Sequence, residues 1–511
     1  MTEYNAMTEN GALSHSSTNS SVLDLFFKVV RNTDESTVNS LMTAAWNEAP
    51  LLTLKAVFHL RDCRGGKGER ARFYNCLHWL IANGHSDHVL VNLEHIPFYG
   101  SFKDLLTVFT GTELESQMLK YYAKILCEDI NSLNDAMIIG NVNDQGHANV
   151  TLSLAAKWAP TEGGSFDKKH RLARKLLKFI REEMQSQYAS TITVNNLKDY
   201  RKQILIPTRQ HLNVVERYMC SMNWDQINFA HVPSVAMKNY RKAFLAHEEE
   251  RFTKYLADVK SGKSKINAGQ VFPHQLVKYY LDGGAYDETI ELQWKEIVRV
   301  TANKLGANSA FPLVDVSGSM HGQPMEVAIA LGLLLSETTC EQFRGSILTF
   351  TDNPAFFRVD TEDTLQAKVK QIRNAPWGMS TSLVKAFDLI LTTAVAFKVS
   401  RVDMPKTLYI FSDMQFDQAC SGNTMTNFEA IEAKYVRAGY SRPNIVFWNL
   451  SGRVIEFPVQ QHVPKTALVS GFSPALMELF MSGEVVSPYA VMLKALTAPR
   501  YSKITLSDQS E

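Results

Sequence analysis

Beyond residue 308 the chain alternates short, continuous apolar runs with amphipathic stretches, and few architectures accept that order. The runs lie in "AFPLVDVS", "GSILTFT", "TLYIFSD", "NIVFWNLS" and "TALVSG". Their Ile, Leu, Val and Phe residues are consecutive, the pattern of strands covered on both faces. Between them "MEVAIALGLLLSETT", "LQAKVKQIRN", "LVKAFDLILTTAVAF" and "NFEAIEAKYVRAG" carry helical spacing. This alternation over residues 308–498 predicts a doubly wound, Rossmann-like, mainly parallel sheet, with "AFFRV" (355–359) as an antiparallel edge strand. In such a sheet the ligand site lies beyond the carboxyl ends of the strands.

The preceding part reads differently. From residue 22 to about 300, apolar residues recur at three- and four-residue spacing with Gly or Pro as stops, as in "LLTLKAVFHL" and "ARFYNCLHWLIANG". No fixed-period repeat is present, so the expectation is an irregular, HEAT-like helical array. The fold class is therefore α plus α/β. Residues 1–21 are polar and predict a disordered tail, and 499–511 a second tail.

The sum of charges is +1, so any nucleic-acid surface must be a local patch. The six cysteines form no C-x-x-C pair and read as reduced thiols of a cytoplasmic protein. No signal-peptide core and no apolar stretch of membrane-spanning length occurs, so no membrane partner is expected.

Asp315 ends the first apolar run, and Ser317 and Ser319 follow at alternate positions around Gly318. One carboxylate and two hydroxyls on one side of a tight loop are hard oxygen donors, suited to Mg²⁺ or Mn²⁺ and not to zinc. Two further loops point oxygens at the same edge: "WGMSTS" with Ser380, Thr381 and Ser382, and "IFSDM" with Asp413. A strand-end aspartate followed by serines is also compatible with a simple helix cap. A serine nucleophile fits less well. The nucleophile elbow G-x-S-x-G lacks its first glycine here, and no histidine is tied to Ser317. "HEEER" (247–251) is not H-E-x-x-H, so a zinc protease is not indicated.

Two basic stretches stand out in the helical part. "LRDCRGGKGER" sets Arg61, Arg64, Lys67 and Arg70 around three glycines, which reads either as an anion-binding loop or as a solvated turn. "KKHRLARKLLKFIR" (168–181) contains no acid. As one helix it sets Leu172, Leu176, Leu177 and Ile180 on an apolar face, with Lys168, Arg171, Arg174, Lys175, Lys178 and Arg181 around the remainder. That surface is a candidate phosphate track for RNA, or a solvated face beside an acidic neighbour.

Asp315-x-Ser317-x-Ser319, the threonine loop and the strand-end Asp413 together resemble the metal-ion-dependent adhesion site (MIDAS) of a von Willebrand factor A (vWA) domain, over about residues 308–498. The resemblance implies direct ligation of Mg²⁺ (or Mn²⁺) by Ser317 and Ser319. It also implies ligation by Thr381, directly or through water, and by Asp315 and Asp413 often through water. A protein carboxylate or other anion would complete the ion. The usual Gly-Gly-Thr is replaced by Gly378-Met379-Ser380-Thr381, so Ser380 is an alternative to the favoured Thr381.

The chain as a whole resembles an uncharacterised domain-of-unknown-function family known from plants, fungi and large DNA viruses. The matching pieces are "RDCRGGKGER", "YGSFKDLL", "AAKWAP", "VPSVAMKNYRKAF", "INAGQVFPHQLV" and "PLVDVSGSM". Its architecture is similar to the TROVE (Ro ribonucleoprotein) family, which implies RNA as a partner by analogy. The expected function is thus non-enzymatic: RNA binding together with a metal-dependent ligand site. A protein-interaction scaffold without RNA and a metal-dependent hydrolase are the alternatives.

Overall fold

The computed structural model describes residues 6–143, 148–186, 193–306, 309–349, 353–375, 382–417, 427–453, 456–480 and 485–507. The chain forms two compact units. One comprises residues 1–76, 233–245 and 249–502, and the other comprises 77–232, 246–248 and 503–511.

The first unit opens with a small hairpin, β1 (Ala6–Met7) and β2 (Leu13–Ser14). Its sheet is built from β3 (Ala310–Val314), β4 (Ser346–Thr349), β5 (Phe356–Arg358), β6 (Thr407–Ser412), β7 (Asn444–Asn449) and β8 (Thr466–Ser470). The spatial order is β5-β4-β3-β6-β7-β8. Every pairing is parallel except that of β4 with the edge strand β5, as the alternation of runs and helices predicts. Every residue of β3, β6 and β8 is buried, which is why these strands read as unbroken apolar runs. The Gln323–Thr338 helix lies tightly on β3: a Cβ added at Gly332 would stand 2.4 Å from the Val314 side chain. From β3 the chain steps outward to β4, and later returns to β6 on β3's other side. The crevice between the ends of β3 and β6 is therefore the point where strand order reverses.

Helices from the earlier part of the chain belong to this same unit. Pro273–Leu281 and Glu288–Leu305 pack against Gln323–Thr338. Glu291 accepts the Leu365 and Gln366 amides at 2.7 and 3.1 Å. Glu337 takes both the Trp294 indole N–H at 3.0 Å and the Lys368 ammonium at 2.7 Å. The expected division at 300–308 is thus a change of sequence pattern within one packed unit. The Ser234–Lys260 helix is broken at Glu248, whose φ and ψ of −143° and 43° are not helical.

The described parts of both expected tails, the first of which the polar sequence predicts to be disordered, are held to the fold by hydrogen bonds. His15 exchanges backbone hydrogen bonds with Phe457 at 3.0 and 2.8 Å, and the Gln461 amide donates to Thr18 at 3.0 Å. Thr8, Glu9 and Asn10 bond Gln415 and Phe416, while Ser17 and Thr18 bond the Asp24 carboxylate and Ser20 that of Glu48, so the polarity of this segment does not signal disorder. At the other end, Tyr501 is buried and its hydroxyl donates to Asp62 at 2.9 Å.

In the second unit the Glu115–Ile138 and Leu172–Ser186 helices pack together, with Leu172, Leu176 and Ile180 fully buried. Arg209 is structural: it donates to the Ala156 and Ala159 carbonyls at 2.7 and 3.0 Å. The last described residues dock here, the Thr505 amide on Asn92 at 3.1 Å and the Ser507 amide on His88 at 3.0 Å. No helix among the described residues is long and apolar enough to cross a membrane.

Candidate functional site

The β3/β6 ladder extends one residue beyond β3, because the Asp315 N–H donates to the Phe411 carbonyl at 3.0 Å. The Asp315 carboxylate is fully buried. It accepts the Ser317 N–H at 2.9 Å and the Ser412 hydroxyl at 2.6 Å, which ties the ends of the two central strands. Gly318–Met320 forms a short turn in which the Ser317 and Ser319 hydroxyls lie 3.1 Å apart and share a hydrogen bond. Ser319 also hydrogen-bonds Asp413, which is 4% exposed and accepts the Gln415 N–H at 3.2 Å. Asp315, Ser317, Ser319 and Asp413 thus form one connected cluster at the reversal point of the sheet.

The electrostatics of this cluster are unbalanced. Burial raises the Asp315 carboxyl pKa, and the neighbouring Asp413 charge raises it further. Burial also raises Asp413, and the charge of Glu9 acts in the same direction. Neither aspartate has an ion-pair partner among the described residues. Two buried carboxylates facing each other without a cation are costly, and a divalent ion would offset both charges. The donors are all oxygens, as Mg²⁺ or Mn²⁺ requires. Among the described residues no group of three or more His, Cys, Asp or Glu is assembled for a metal, so any site here depends on hydroxyls.

Ser380 and Thr381 lie outside the described residues. Ser382 starts the next helix by accepting the Lys385 N–H at 3.4 Å, and Leu383 lines a small cavity together with Thr8 and Met414. Ser412 escaped sequence reasoning although it precedes Asp413 in "IFSDM". Its hydroxyl points at Asp315 only because β3 and β6 are neighbours.

The glycine-rich loop corrects its reading as an anion cradle. Lys67 is buried, and its Nζ lies within hydrogen-bond reach of the Phe26 carbonyl, of the Val29 carbonyl at 3.0 Å and of the Ser470 hydroxyl at 2.7 Å. Arg61 is buried as well, while Arg64 and Arg70 are exposed. The glycines let the chain fold onto itself. A Cβ at Gly66 would fall 2.1 Å from the His59 carbonyl oxygen, and Gly68 has φ +71°. Asp62 at the centre accepts Arg500, Tyr501 and the Arg64 and Gly65 amides.

The basic stretch is two helices, not one. Ser165–His170 ends at Arg171 with φ 51°, and Asp167 accepts the Ala173 N–H at 2.9 Å to start Leu172–Ser186. Lys168, Arg171, Arg174, Lys175, Lys178 and Arg181 are all exposed. Lys175 pairs with Glu115 at 2.5 Å and Lys178 approaches Glu182 at 3.9 Å. Arg181 donates to the Val194 carbonyl at 3.4 Å. Lys168, Arg171 and Arg174 have no carboxylate partner among the described residues.

A separate apolar cleft of about 170 Å³, bordered by Cys63, Phe272, Ile297, Val300 and Met477, contains none of the strand-end residues.

Two family models match the chain. Residues 8–121 and 113–305 match a domain of unknown function (DUF2828), and residues 309–498 match another domain of unknown function (DUF7788). The chain is also similar to "Uncharacterized protein L728" of Acanthamoeba polyphaga mimivirus. The two are 34% identical over 523 residues, covering 96% of this chain and 87% of the viral protein.

Proposed function

The chain belongs to the family defined by these two domains of unknown function, and on that premise we propose that it is a non-enzymatic, cytoplasmic binding protein with a vWA-like, divalent-metal-dependent ligand site. The observation that carries the reading is the pair of buried carboxylates, Asp315 and Asp413, which lack a cationic partner among the described residues at the sheet's reversal point. Ser317, Ser319, Asp315 and Asp413 would hold Mg²⁺ or Mn²⁺, and Thr381 or Ser380 would join them as the vWA resemblance implies. The ion, when bound, supplies an electrophilic position for an anionic oxygen of a protein or other ligand. Ser412 fixes the Asp315 carboxylate, and the Ser317 amide holds its other oxygen. Ser317 Oγ is hydrogen-bonded to Ser319 and, among the described residues, to no histidine, which favours ligation over a hydrolase nucleophile. Calorimetric titration with MgCl₂, against Ser317→Ala as control, tests the site.

RNA is the proposed partner of the exposed basic helices, supported by Lys168, Arg171 and Arg174. A protein-interaction scaffold is the competing account, favoured by the Lys175–Glu115 pair. Retention of a mixed-sequence single-stranded RNA that falls steeply with salt supports the first. No retention at low salt supports the second.

A further inference from the structure

The N-terminal hairpin is folded onto the loop that follows Asp413. Thr8 Oγ1 donates to the Phe416 carbonyl at 2.7 Å, the Glu9 amide to Gln415 Oε1 at 2.8 Å and Asn10 Nδ2 to the Gln415 carbonyl at 2.8 Å. Gly11 bridges Asp417 in antiparallel fashion. The turn is closed internally by the Gly11 amide on the Thr8 carbonyl at 2.9 Å, with Gly11 at φ 82°. This leaves Glu9 at the tip, its amide held by Gln415, the residue whose own N–H Asp413 accepts. The Glu9 side chain is exposed, and its carboxylate has no hydrogen-bond or ion-pair partner among the described residues. Its charge nevertheless reaches Asp413. The anchors are specific and come from side chains as well as backbone, so the tip is held in place while its carboxylate stays uncommitted. The hairpin thus holds a third carboxylate beside a cluster that lacks a cation among the described residues, and a bound cation would offset it.

We propose that Glu9 is the in-chain anionic ligand of the strand-end site: its carboxylate takes the open position of the bound ion, and an external carboxylate must displace it. This inference rests on the metal-site reading above. It makes the hairpin the element that sets the threshold for partner binding, and it makes docking of the hairpin dependent on the ion.

Titration of the full chain with MnCl₂, followed by calorimetry and by water-proton relaxation of the bound Mn²⁺, tests it. In Glu9→Gln, Mn²⁺ binding weakens about tenfold, and relaxation rises because water replaces the carboxylate. Mn²⁺ should also slow hydrogen exchange of the residue 8–12 amides in the wild type and not in Glu9→Gln. Wild-type affinity, relaxation and exchange in Glu9→Gln, with binding still lost in Ser317→Ala, would overturn the role of Glu9 and leave the metal site standing. No Mn²⁺ binding by the wild type would overturn both.

Discussion

Ser412 donates its hydroxyl to Asp315 at 2.6 Å, joining the ends of two strands that lie 97 residues apart in sequence. The bond fixes one oxygen of a fully buried carboxylate whose pKa a second carboxylate, Asp413, pushes further up. The consequences of that arrangement are measurable.

Asp315→Asn should stabilise the metal-free protein and abolish its response to Mg²⁺. Burial and Asp413 raise the Asp315 pKa, so between the ordinary carboxylate value and the raised one the folded state holds a proton that the unfolded chain has lost. Stability from this group is therefore greatest at acid pH and falls as pH rises from the ordinary carboxylate value through the raised one. At pH 7 without metal, the asparagine variant should gain about 1–3 kcal/mol. Thermal unfolding with chelator and with MgCl₂ checks both halves.

Lys67 gives the opposite slope. Burial lowers its pKa to about 7, with Glu69 opposing the shift. Between that value and the ordinary lysine range the unfolded chain binds a proton that the folded state does not, so stability rises with pH across the window. The slope from this one group approaches about 1.4 kcal/mol per pH unit. Lys67→Met removes it and leaves the Phe26 and Val29 carbonyls without their donor. The variant should be less stable by about 2–4 kcal/mol, and the gap should widen from pH 7 to pH 9 in urea unfolding.

Much of the α/β architecture is legible in the sequence, because strands covered on both faces announce themselves as apolar runs and their ends locate Asp315 and Asp413. What sequence reasoning misses is set by partners far along the chain. Lys67 looks like a surface cation until Ser470 and the Phe26 carbonyl enclose it. Residues 6–20 look like a polar tail because several of their bonds, such as those of Thr8 and His15, run to groups more than 400 positions away. Arg171 looks helical, but Asp167 caps the following helix from before it and the chain turns left-handed between them.

Arg500→Ala should destabilise the first unit by about 3–5 kcal/mol, since it leaves the Asp62 carboxylate buried without its cation. Burial alone would raise the Asp62 pKa, but hydrogen bonds from Arg500 and the Arg64 and Gly65 amides outweigh it and hold the group below the usual range. A truncation ending at residue 498 should show a similar loss in thermal unfolding. An unchanged midpoint would mean that the Asp62 cluster contributes nothing.

Arg174→Glu should weaken binding of single-stranded RNA and lower the salt slope by about one for each phosphate no longer neutralised. Glu115→Gln releases Lys175 from its pair and should leave RNA binding equal or stronger. Filter retention across a salt series distinguishes these outcomes.

Calorimetric titration of the wild type and of Ser317→Ala with MgCl₂ tests the central claim most directly. One ion bound per chain by the wild type, and none by Ser317→Ala with its thermal unfolding unchanged, is the expected result. Equal Mg²⁺ binding by both proteins, or none by the wild type, would contradict a metal site at the ends of β3 and β6.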